Sequence, residues 1–126
     1  MFRIGITFLL FVLLVQPQIL GTENVLIAVA SEGKTIEADV SQRAARCSYF
    51  LLFDKEGSLT DAVGNPFKDN RGSAGVSAAD FLAEHNVTVV VAGMVGNKMQ
   101  AALETNDIAF VEFSGRVEDA VKHVLK

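Results

Sequence analysis

Cysteine occurs once in the 126 residues, at Cys47. That excludes an intramolecular disulfide and any metal motif built from several cysteines, including an iron–sulfur cluster caged by four thiolates of one chain. Tryptophan is absent, and histidine and proline occur twice each. Positive charge is also in deficit, with 11 basic against 15 acidic side chains and a net charge of -4. A duplex-binding surface would carry the opposite sign, so no nucleic acid is expected as a partner. Arg43, Arg46, Arg71 and Lys98 stand singly, a pattern that suits a local anion site rather than a track for a polyanion.

Half of the residues are hydrophobic, and a chain of this length has room for one domain. Residues 1–24 are set apart. Arg3 and the amino terminus give a positive start, residues 4–15 are apolar, and a polar stretch with Gln16, Pro17 and Gln18 leads to Gly21. This is the layout of a secretory signal peptide, too short an apolar run for a membrane-spanning helix of ~20 residues. The expectation is an exported or periplasmic protein cleaved near Gly21. An uncleaved leader would tie it to a membrane, and a working protein without the leader would be cytoplasmic.

The domain is expected over residues 25–126. Residues 25–30, 87–92 and 108–111 are unbroken apolar runs rich in β-branched side chains, as in strands buried on both faces of a sheet, and are expected in the sheet interior. Residues 49–54 form a fourth run. The turn Lys55-Glu56-Gly57-Ser58 predicts a hairpin with residues 59–63, which makes the sheet mixed. Between these runs the spacing is helical. Val76, Ala79, Leu82 and Ala83 share one face, closed by Asn86. Met99, Ala102 and Leu103 share another, with Asn97 as N-cap, Gln100 three residues on, and Asn106 beyond the end. Val117, Ala120, Val121 and Val124 form the stripe of a last helix. The fold class is therefore α/β, with a mixed five-stranded sheet and about three helices.

Two long connections, residues 31–48 and 65–73, stay unassigned, and connections of that length are usually functional. In the first, Arg43 and Arg46 flank the only thiol, where guanidiniums could bind an anion and lower the Cys47 pKa; the structural alternative is a solvated helical turn with a half-buried Cys. The second ends in the turn Arg71-Gly72-Ser73-Ala74-Gly75, whose amides at a helix start attract anions, or in which Ser73 is simply an N-cap. A third stretch, Gly93-Met94-Val95-Gly96-Asn97, follows a strand and opens a helix, where ligands of open α/β sheets tend to sit. His85 and His123 lie near helix ends, suited to the helix dipole or to solvent. Asp54 and Asp39 would support a small metal-dependent hydrolase or nuclease only if they converged; otherwise Asp54 closes a strand.

In order and spacing these motifs resemble the dinitrogenase iron-molybdenum cofactor biosynthesis family, which includes nitrogenase accessory proteins and orange proteins. The resemblance rests on the opening strand, on residues 41–50 against a family pattern Ser-x-x-Phe-Gly-Arg-Ala-x-Tyr-Phe, on Gly72 to Gly75, and on Gly93-x-x-Gly96. Ser41, Arg46, Tyr49 and Phe50 match that pattern; Ala44 and Ala45 replace its Phe-Gly, Arg43 stands where many members have His, and Asn97 stands where Pro is common. The resemblance implies a three-layer ribonuclease H-like fold and a non-catalytic protein that carries or stores an anionic molybdenum-containing sulfide cluster, iron-molybdenum or molybdenum-copper, or a precursor. It implies cluster donor or acceptor proteins as partners. The expected site gathers Arg43, Arg46, Cys47, Ser73, Gly75, Gly93, Gly96 and Asn97, with Cys47 the candidate metal ligand and Met94 and Met99 as soft contacts. The rival reading is an interaction or regulatory module that kept the fold and lost the ligand.

Overall fold

The computed structural model describes residues 25–126; the expectations for the leader, residues 1–24, fall outside the described residues. Five strands, β1 (Ile27–Ser31), β2 (Tyr49–Phe53), β3 (Leu59–Gly64), β4 (Val89–Ala92) and β5 (Ala109–Glu112), alternate with three helices, α1 (Ala74–Glu84), α2 (Asn97–Thr105) and α3 (Val117–Leu125). The sheet order is β3-β2-β1-β4-β5. β2 is antiparallel to both β1 and β3, while β1, β4 and β5 are parallel. The mixed α/β fold expected from the runs is the fold observed.

Strand alternation splits the apolar residues between two faces. Ala28, Ala30, Phe50, Leu52, Val90 and Ala92 pack with Leu82, Met99 and Leu103 of α1 and α2. Ile27, Val29, Leu51, Phe53 and Val91 pack with Val117, Ala120 and Val121 of α3. The molecule therefore has three layers, with α1 and α2 on one face and α3 on the other. Glu118 and Asp119 in the first turn of α3, and Lys122 and His123 in its last, match the helix dipole.

The sequence is less regular at three places. Residues 108–111 were expected in the sheet interior, but β5 is an edge strand with Phe110 37% exposed: among the described residues it pairs with β4 alone. Val76 was expected on the buried face of α1 and is 43% exposed; Ala74, Ala78, Ala79 and Leu82 are the residues that α1 buries, since its first turn rests on α2 rather than on the sheet. Finally, α2 has Gly96, not Asn97, at its N-cap, with no side-chain cap; Gln100 instead reaches back to donate from Nε2 to the Val95 carbonyl at 2.9 Å.

Helices α1 and α2 end alike. After α1 the amides of Asn86 and Val87 donate to the carbonyls of Ala83 and Leu82, and after α2 those of Asp107 and Ile108 donate to Glu104 and Leu103. Each is a Schellman turn, which requires one left-handed residue and an apolar contact across the turn. Asn86 (φ 64°) fills that position after α1 as expected, but after α2 it is Asp107 (φ 58°) rather than Asn106. Val87 and Ile108 are buried beside Leu82 and Leu103, which aims the chain into β4 and β5 with little connecting loop.

Candidate functional site

Because β1 and β4 are parallel, their carboxyl ends lie together, and the connections that leave them, residues 32–48 and 93–96, meet there. Ser41 joins the two: its amide donates to Ala30 O at 2.7 Å and its carbonyl accepts from the Gly93 amide at 2.8 Å. The Ala44 amide adds a bond to Met94 O at 3.1 Å. Gly93 is required by this closeness, since a Cβ there would lie 2.8 Å from the Cα of Gln42. From the edge strand, Glu112 Oε2 accepts from the Val95 amide at 3.0 Å.

The N-termini of α1 and α2 arrive at the same end. Gly75 lets them touch, its missing Cβ leaving room for Met99. Between them opens a cleft of about 320 Å³ lined by Ala45, Arg46, Gly72, Ala74, Gly75, Gly96, Asn97, Lys98 and Met99. Neither helix has a side-chain cap or an acidic residue in its first turn. Orphan amides and the positive ends of two dipoles thus face a space flanked by Arg46 and Lys98. The arrangement attracts anions.

The expected site residues separate into those brought together and those held apart. Arg46, Gly75, Gly96 and Asn97 line one cleft. Ser73 sits at its rim in the N-cap position of α1, exposed and without the expected cap bond. Gly93 lies beneath, against Gln42. Arg43 is exposed and away from the lining; its amide and carbonyl close a local turn with Ser41 Oγ, each at 3.3 Å. Met94 is 64% exposed and Met99 is a core residue, 2% exposed, that also lines the cleft.

Cys47 is the clear correction. Its side chain is fully buried, with Sγ donating to Ala44 O at 3.5 Å. Burial pushes the thiol up to about 12, although the Ser31 backbone and Asn65 pull slightly the other way. The expected lowering by neighbouring guanidiniums is absent because burial penalises the thiolate, so Cys47 is a core residue turned from the cleft.

Arg46 has a second occupation. Its Nη1 donates to the Lys68 carbonyl at 2.9 Å and to the carbonyl of Asn70, fastening residues 65–73 to the site. Asn65 fastens them in the other direction, donating from Nδ2 to Ala45 O at 2.9 Å and Cys47 O at 3.0 Å. Sequence reasoning passed over Asn65, whose only signal is the turn dipeptide Asn65-Pro66; it named Lys98 among the single cations suited to an anion site without placing it beside the cluster.

The carboxylates considered for hydrolysis do not converge. Asp54 Oδ1 accepts from the Glu56 and Ser58 amides at 3.0 and 2.9 Å, building the β2–β3 turn at the end of the sheet opposite Asp39, which bridges to Arg116. Among the described residues no three His, Cys, Asp or Glu side chains group so as to hold a metal ion. His85, bonded through Nδ1 to Phe81 O at 2.9 Å, and His123, against the Phe113 ring, also lie far from the cleft, toward the C-terminal ends of their helices. No described helix is long and apolar enough to cross a membrane.

Comparison with solved structures gives several likenesses. The apo form of the orange protein from Desulfovibrio gigas is 30% identical with a TM-score of 0.75, over 79% of this chain and 86% of that one. An NMR structure from Thermotoga, described as a candidate NifB protein of the DUF35 family, is 28% identical with a TM-score of 0.69, over 79% and 86%. A candidate dinitrogenase from Methanocaldococcus jannaschii, 14% identical with a TM-score of 0.56 over 81% and 88%, shares the fold. No curated protein matches the chain. Residues 24–126 match the sequence profile of the dinitrogenase iron-molybdenum cofactor family, and to that family the chain belongs.

Proposed function

We propose that the cleft between the N-termini of α1 and α2 binds an anionic molybdenum-containing sulfide cluster, or a precursor of one, as cargo that the protein carries or stores without catalysing a reaction. The observation that carries this reading is the convergence of two uncapped helix starts with Arg46 and Lys98 on one open cleft. Family membership and the likeness to the orange protein support it.

The residues fit such cargo by charge and hydrogen bonding, not by thiolate ligation. Sulfide and oxo ligands on a metal accept hydrogen bonds, and amides and guanidinium N–H groups donate them. Cys47 is buried behind the lining and protonated across the neutral range. At about 320 Å³ the cleft lies at the lower end of the ~300–1,000 Å³ typical of small-ligand sites, which favours a mononuclear thiometallate or a small heterometal cluster. Of Ala44 and Ala45, which replace the Phe-Gly pair of the family pattern, Ala44 is buried away from the lining and Ala45 adds one methyl group to it. Cluster donors and acceptors would meet the molecule at this end of the sheet.

The test is anaerobic reconstitution with tetrathiomolybdate, alone and with copper or iron, followed by desalting, metal analysis and visible spectroscopy. Retained molybdenum with charge-transfer absorption is expected. Absence of both under all three conditions removes the reading.

A further inference from the structure

Arg46 is the one cleft cation tied into the fold by its guanidinium, and the tie runs both ways. Its Nη1 donates to the carbonyls of Lys68 and Asn70, which leaves Nε and Nη2 with no recorded partner among the described residues. The backbone on either side of Arg46 is held in turn by one amide: Asn65 Nδ2 donates to the carbonyls of Ala45 and Cys47. Asn65 is itself fixed, accepting from the Phe67 amide through Oδ1 at 3.0 Å and donating its own amide to Ser48 O at 3.1 Å. Phe67 then packs edge-on against Phe81 of α1, 5.7 Å between ring centres, which anchors the loop to the helix whose N-terminus forms the cleft.

We propose that Asn65 is a positioning residue: through its two bonds around Arg46 it holds that guanidinium at the wall of the cleft and so sets the affinity of the cleft for an anion. The effect on affinity rests on the binding function proposed above; the clamp itself does not. A long, flexible Arg loses rotamer freedom when it binds, and a guanidinium already fixed in place has less to lose. Asn65 is half-buried and distant in sequence, so it acts on the cleft only through residues 45–47.

The experiment uses the full chain and two readouts. The first needs no ligand: the side-chain NH resonances of Arg46, observed by NMR, exchange slowly with water in the parent protein. They become fast in Asn65→Ala and in Asn65→Asp, which keeps the acceptor for Phe67 but loses the donor. The second is a cycle of tetrathiomolybdate affinities. Asn65→Ala and Arg46→Gln each weaken binding by about tenfold, and the double variant by about tenfold again relative to the parent rather than about a hundredfold, because both remove one interaction. Unchanged Arg46 exchange in a folded Asn65 variant overturns the clamp, and additive losses overturn its action through Arg46. If the parent protein retains no molybdenum, the binding function fails and the affinity claim with it, while the Arg46 resonances still decide whether Asn65 positions the side chain.

Discussion

Gly75 in α1 rests directly on Met99 in α2: a Cβ on Gly75 would stand 3.0 Å from the Met99 Cβ and 3.2 Å from its backbone nitrogen. The two helix starts that frame the cleft are as close as they are because one side chain is missing. Alanine at this position gains helix propensity, but it meets backbone rather than a yielding side-chain tip. Overpacking of this kind costs about 1–3 kcal/mol and outweighs the ≤ ~1 kcal/mol gained. Gly75→Ala is expected to lower stability by about 1 kcal/mol, a fall of roughly 4–8 °C in Tm, and Gly75→Val by more, both measurable by calorimetry. An unchanged Tm in the valine variant would show that the helices are free to separate.

The two glycines of the 93–96 loop should respond in opposite ways. At Gly93 a Cβ would collide with the Gln42 backbone at 2.8 Å, whereas at Gly96 nothing lies within 4 Å and the φ of -69° suits any residue. Gly93→Ala is expected to cost about 2–3 kcal/mol, by the overpacking it forces. Gly96→Ala should stay within about 0.5 kcal/mol. Urea titrations of the two variants side by side make the comparison.

Cys47 predicts a dependence on alkaline pH. Its folded pKa is raised to about 12 from the ordinary 9.0, so in the folded state the proton is kept where the unfolded chain gives it up. The stability linked to this thiol is fully present below pH 9.0 and declines as pH rises toward about 12, with a slope of roughly 1 kcal/mol per pH unit. Unfolding measured between pH 8 and 11 should show the parent losing stability faster than Cys47→Ala by that slope. In the same range the folded protein should resist iodoacetamide, and react once denatured.

The cleft cations should separate stability from binding. Lys98 is exposed and has no recorded partner among the described residues, so Lys98→Glu should leave Tm nearly unchanged while weakening tetrathiomolybdate retention about tenfold or more, the more so at low salt. Arg46→Gln loses bonds to two carbonyls, and should lower both stability, by about 1.5–3 kcal/mol for a charged hydrogen-bonding group, and retention. Equal retention in Lys98→Glu and the parent would place the anion elsewhere.

Much of this molecule is local, and what is local was legible. The hairpin was readable from Gly57, which takes φ 85°, and Asp54 closes it as a strand-end residue should. The stripe of Val117, Ala120 and Val121 was readable because burial on one helix face imposes its own period. The glycine motifs pointed to the end of the sheet at which the cleft opens, where ligands of open α/β sheets tend to gather. Composition and pattern thus determined the fold class and the element order, and singled out the loops that meet where the cleft opens.

Tertiary structure alone decided what each residue there does. Cys47 and Arg46 are adjacent in sequence, yet one is driven into the core and the other onto the cleft wall, because the chain between residues 44 and 49 turns from loop into β2 and sends successive side chains to different surroundings. Asn65 meets Ala45 and Cys47 across about twenty intervening residues, a contact that no periodicity encodes. Gly75 looked like a ligand-binding turn and proves also to be a helix contact. Burial, and hydrogen bonds between segments distant in sequence, assign these roles: they depend on which surfaces meet, and a sequence specifies that only through the packing of the whole.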